Sequence, residues 1–186
     1  MYDLHSILIQ LKKEDTPLHG VMVRCVRCFY QWLDPTLWEG SALFELWAQE
    51  LELIYGDLRQ RLSPNAKTDA GSLGDRFGFD TPPELPRLLQ SIQTFYSVLI
   101  KLIAWNTLRG ATPEPPLTEL LSGRAFVNRG IRNFCGDDWY IWPLDIWDPA
   151  LETQCEELRA CLDAFDTCPE GSTLSPDSLS RIYETV

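Results

Sequence analysis

The most constraining feature of this sequence is one long apolar stripe at helical spacing. From Leu85 the apolar positions fall at Leu88 and Leu89, Ile92, Phe95 and Tyr96, Leu99, and Leu102 and Ile103. That i, i+3, i+4, i+7 pattern puts one wide face of a helix into a core. Punctuation bounds it on both sides. Thr81 is a candidate cap, Pro82 suits a first turn, and Glu84 stands three residues after the threonine, as in a capping box; Gly110 and Pro113 end the run. A helix with so broad an apolar face requires other elements to cover it.

Further helical stretches supply them. One is expected over Ser41–Arg61, with Leu43, Leu46, Trp47, Leu51, Ile54 and Leu58 on one face. Another is expected from Leu18 to Leu33, through Val21, Cys25, Phe29 and Trp32, ended by Asp34-Pro35. Asp148-Pro149 and Ser175-Pro176 each read as a capping residue followed by an N1 proline, and they predict helices over 149–165 and 176–186. The segments Ser63–Pro83 and Gly110–Pro116 read as loops, the second extended because it is GATPEPP. No run alternates as a strand would. The expected class is all-α, an irregular multi-helix bundle over residues 1–109. A Pro-rich connection at 110–116 would lead to a smaller helical lobe at 117–186.

Composition narrows the class of function. With 45% hydrophobic residues and seven Trp, the chain has material for a packed core. Its formal net charge of -11 repels phosphate backbones unless its few cations gather on one face, so it is a poor DNA clamp by itself. No stretch approaches the roughly 20 uninterrupted apolar residues that a bilayer requires. The nearest, Tyr96 to Trp105, carries Lys101. Residues Met1 to Lys13 lack the order of a signal peptide, their lysines following the apolar residues. The expectation is a cytoplasmic protein without a membrane partner, its six Cys being reduced thiols.

Candidate chemistry is sparse. Cys25-Val-Arg-Cys28 has metal-ligand spacing, but Cys155, Cys161 and Cys168 do not repeat it and His5 and His19 lie far off in sequence. Inside a helical stripe the pair reads as two small buried hydrophobes; the competing reading is a small redox or hydrolytic protein built on it. Gly71-Ser-Leu-Gly74-Asp-Arg-Phe-Gly78 lacks both Walker and dinucleotide spacing and reads as a flexible connection. Asp137, Asp138, Asp145 and Asp148 offer oxygen ligands for a divalent cation. They are interleaved with Trp139, Tyr140, Trp142 and Trp147, a mixture that suits aromatic anchors on a docking surface with acids at the rim. The same aromatics would equally serve as the core of the lobe. No Glu-x-Lys nuclease signature and no local nucleophile–His signature occurs, so catalytic, cofactor-binding and metal residues are all expected to be none.

One stretch is distinctive as a whole: Leu121-Ser-Gly-Arg-Ala-Phe126-Val-Asn-Arg-Gly130-Ile-Arg-Asn133-Phe134-Cys-Gly-Asp137-Asp138-Trp139-Tyr140-Ile-Trp142. It resembles a segment upstream of the catalytic domain in large adenine-specific DNA methyltransferases of restriction–modification and phage-defence systems, of the type IIG-like class. Three further stretches agree in order: Trp47 to Asp57 ending Ile-Tyr-Gly-Asp, Gln93 to Leu102 with Leu-Ile-Lys-Leu, and Leu179 to Glu184. The likeness spans about residues 44–186. The family's S-adenosylmethionine loop and its Asn-Pro-Pro-aromatic motif, which holds a flipped adenine, have no counterpart here. The resemblance therefore implies a noncatalytic N-terminal scaffold segment. S-adenosylmethionine and DNA would be bound by the parent protein, and the partner would be a methyltransferase domain or a separate chain. The alternative is a stand-alone helical adaptor for a protein partner.

Overall fold

The computed structural model describes residues 4–33, 49, 73–109, 112–135 and 140–164. Among these the chain is all-α, and no strand occurs. The helices are α1 (Leu4–Lys12), α2 (Pro17–Trp32), α3 (Leu85–Arg109), α4 (Leu117–Leu121), α5 (Arg124–Val127) and α6 (Pro149–Asp163), with a 3-10 turn at Trp142–Leu144 before α6. The helices expected over 41–61 and 176–186 lie outside the described residues, apart from a helical Gln49.

The chain divides into two compact units, Met1–Cys25 with Tyr96–Val186, and Val26–Phe95. This division interleaves the sequence. It falls within α2 and within α3, so each of these helices contributes residues to both units.

The long stripe is the core helix it was expected to be. Along α3, Leu88, Ile92, Phe95, Leu99, Leu102 and Ile103 are all buried. By length and hydropathy alone Leu85–Leu108 would suffice to cross a membrane, yet 78% of its most apolar window is buried within the protein. Burial to that extent is the pattern of a core helix.

The start of α3 differs from expectation. Thr81 does not cap it; the helix opens at Leu85, with Leu88 N–H donating to the Glu84 carbonyl at 2.9 Å. The reason is steric. A residue preceding a proline is biased away from the α region, and Thr81-Pro82-Pro83 stacks two such restrictions in a row. Pro83 instead lies against Gly74, where an added Cβ would come within 2.6 Å of the proline ring. Glu84 N–H donates to the Tyr30 hydroxyl at 3.0 Å, which satisfies a donor of the helix entry without a capping box.

Two other starts follow the Ncap–Pro rule. Asp148 is extended (φ -119, ψ 146) and its carboxylate accepts from Ala150 N–H at 2.7 Å, with Pro149 opening α6. Thr16-Pro17 does the same for α2: the Thr16 hydroxyl accepts from His19 N–H at 3.2 Å. Residues 73–83, expected to be a flexible connection, contain a helical turn at 73–76. Gly78 (φ +68) closes it, with Phe79 N–H donating to the Gly74 carbonyl and Gly78 N–H to that of Asp75, each at 3.0 Å. That bond pair is the Schellman ending, which needs a left-handed residue. The Gly110–Pro116 connection is extended where described, with Pro116 at φ -53 and ψ 145.

Candidate functional site: a buried lysine beneath the aromatic segment

The site is built in the first compact unit around Lys101. Lys101 occupies the inner register of α3 and is 3% exposed. Its Nζ donates to the Leu121 carbonyl at 2.8 Å, near the end of α4. A buried ammonium is costly unless such acceptors surround it, so this bond ties α3 to α4. A small cleft of about 10 Å³, no larger than a water molecule needs, lies beside it, lined by Ser97, Val98 and Lys101 from α3, Leu121 from α4, and Tyr140 and Pro143 from the aromatic segment.

The segment following α4 turns on two aromatic and two glycine positions. Gly123 is left-handed (φ +78), and a Cβ there would meet the Phe134 carbonyl oxygen at 1.9 Å. Only glycine allows the later chain to cross so close. Phe126 of α5 is fully buried. Its ring meets Trp105 edge-on (centroids 5.8 Å, 87°) and Phe134 at a tilt (4.4 Å, 40°). Gly130 (φ +78) then ends α5, with Ile131 N–H donating to the Phe126 carbonyl at 3.1 Å and Gly130 N–H to that of Val127 at 2.9 Å. Arg129 donates to the Leu108 carbonyl and the Thr112 hydroxyl, and its guanidinium lies 5.3 Å from the Trp105 ring centroid. A cation at the end of α3 also complements the helix dipole.

The proposed docking aromatics are not equivalent. Trp142 is 6% exposed, so in this chain it is a core residue. Tyr140 and Trp147 are half-buried, and Trp139 lies outside the described residues with Asp137 and Asp138. Two turn bonds hold this stretch, Leu144 N–H to the Ile141 carbonyl (2.8 Å) and Asp145 N–H to that of Trp142 (3.0 Å). Asp145 is exposed and Asp148 caps α6, and these carboxylates join no cluster of three or more metal-ligating residues among the described ones.

The cysteines take up packing positions. Cys25 is buried and its thiol lies 3.5 Å from the Gln154 carbonyl on α6, while Cys28 is half-buried. Cys155 is buried on α6, and no disulfide joins the described cysteines. Burial raises the Cys161 thiol above its ordinary value, against an opposing pull from the Arg24 guanidinium. Arg24 itself pairs with Glu157 at 2.8 Å. Lys101 was given no site role by the sequence, where it stands only as the lysine of the Leu-Ile-Lys-Leu stretch in the apolar register of the core helix.

No protein-family model matches the chain, and neither a curated protein nor a solved structure is significantly similar to it.

Proposed function

We propose that this chain is a noncatalytic helical scaffold segment of an adenine-N6 DNA methyltransferase of the restriction–modification or defence type. The reading is supported by how the family-like positions pack. Lys101 of the Leu-Ile-Lys-Leu stretch bonds to Leu121, the first residue of the distinctive segment. Within that segment Gly123, Phe126, Gly130 and Phe134 form one knot. Positions carried over by resemblance thus act together as a single packing unit. In this role the chain braces the methyltransferase core in the cytoplasm. Half-buried Tyr140 and Trp147, with Trp139, would dock on that core, since desolvated aromatics dominate such contacts. S-adenosylmethionine would belong to the partner domain.

A second reading draws on the burial of Trp142. A lobe that already buries this side chain behaves more like a self-contained helical adaptor for a protein partner. One experiment separates them. The coding sequence beyond the Val186 codon and the neighbouring genes are read for an Asn-Pro-Pro-aromatic region, and that domain is expressed with and without this chain. The scaffold reading expects co-purification and adenine methylation that depends on the chain. It is abandoned for the adaptor if no such region exists, or if the domain methylates equally alone and does not co-purify.

A further inference from the structure

We propose that residues 112–116 form a preorganised polyproline strand that docks into an aromatic-lined groove, rimmed by cations, on a protein partner. This surface is separate from the Lys101 site and depends on neither reading above.

The backbone is dictated residue by residue. In Thr112-Pro113-Glu114-Pro115-Pro116 every residue is a proline or precedes one. Proline locks φ at about -65°, and the residue before it is biased to the extended region, so the whole run is confined to polyproline II. Pro116 stands at φ -53 and ψ 145, within that region. Such a strand turns about once every three residues, so Pro113 and Pro116 share one edge and Thr112 and Pro115 another.

The two edges meet different surroundings, all within the first compact unit. The Thr112 hydroxyl accepts from Arg129, which also donates to the Leu108 carbonyl. The Pro115 carbonyl accepts from Arg159 at 3.5 Å, and the same guanidinium lies 3.7 Å from the Glu114 carboxylate. Pro115 is half-buried, whereas Pro113 and Pro116 are both exposed. Two arginines thus hold the strand from behind while it presents two rings in front. Among the described residues no other two exposed prolines stand three apart; at Pro82-Pro83 the second ring is buried against Gly74.

These features select the occupant. Three of the five residues lack an N–H, so the strand cannot be taken up as an added strand at a sheet edge. Its exposed rings suit stacking on aromatic side chains, the mode by which polyproline segments are read. Anchoring by Arg129 and Arg159 lowers the ordering cost of docking. Charge defines the rim: exposed Glu114 lies between the two prolines and exposed Glu119 follows on α4, in a chain of formal net charge -11.

The test is titration of the full chain into an isotope-labelled WW domain with arginines beside its groove, followed by NMR. Saturable shifts concentrated at the groove aromatics are expected. Pro113→Ala with Pro116→Ala should weaken binding by about tenfold, through loss of buried ring area. Because Pro116 precedes α4, thermal unfolding of that variant is measured alongside, and Pro113→Ala alone should still weaken binding by about threefold. Pro82→Ala, which alters an exposed proline of the other unit, should bind like the wild type. Neutralising the groove's arginines should weaken binding several-fold, most at low salt. The docking strand is overturned by absence of shifts, by shifts away from the groove, by proline variants that bind like the wild type, or by an equal loss in Pro82→Ala. Equal binding to the neutralised groove overturns the cationic rim.

Discussion

Lys101 Nζ donates to the Leu121 carbonyl at 2.8 Å, and both residues are buried, so a core helix and the segment that follows α4 are joined through a charge inside the protein. Replacing the lysine by methionine keeps most of the volume but leaves a buried carbonyl without this donor. Lys101→Met is expected to cost about 1–3 kcal/mol, lowering Tm by several degrees for a chain of this length. Denaturant and thermal unfolding measure it. Unchanged or raised stability would show that desolvating the ammonium outweighs its bonds.

The two left-handed glycines of the same segment should respond differently. Gly123→Ala meets a backbone oxygen at 1.9 Å in addition to the left-handed penalty, whereas Gly130→Ala meets only the penalty. The second is expected to cost about 1–2 kcal/mol and the first clearly more, with loss of near-ultraviolet dichroism from the Trp105–Phe126–Phe134 cluster. Equal effects on unfolding midpoints would refute the crossing of Phe134 over Gly123.

At the start of α6, Asp148→Ala removes the oxygen that accepts from Ala150 N–H. Loss of an N-cap costs about 0.5–2 kcal/mol, and Asp148→Asn should recover most of it. Chemical denaturation of the three proteins checks the order wild type, then Asn, then Ala.

The Cys161 thiol is raised by burial and lowered by Arg24, with burial the larger influence. Its alkylation by iodoacetamide should reach half-maximal rate at a higher pH than an exposed thiol, and Arg24→Gln should move that midpoint higher still. Because the folded value is raised, its stabilising contribution is complete below the ordinary thiol range and is lost as pH rises through the folded value. Mass-resolved labelling kinetics give the midpoint. A shift to lower pH in Arg24→Gln would contradict the assignment. The same variant should hardly change stability at neutral pH, since its pair with Glu157 is largely exposed.

Much of the helical architecture was readable from local chemistry, and particular residues show where the reading stopped. Asp148-Pro149 marks a helix because a carboxylate beside N1 proline satisfies orphan donors within a single turn. Thr81-Pro82 has the same pattern of capping residue and proline and fails, because Pro83 follows and packs on Gly74, a residue it reaches only through the fold. The aromatic segment shows the same limit. Sequence placed Tyr140, Trp142 and Trp147 in one group, and their burial separates Trp142 from the other two.

By itself the sequence determined the all-α class, the core face of α3 and the start of α6 at Asp148-Pro149, since periodicity and capping act over a few residues. Tertiary structure alone decided that Lys101 would find Leu121 and that Gly123 would lie under Phe134. Those relationships join residues apart in the chain, and their energies exist only once packing excludes water and fixes which donor meets which acceptor.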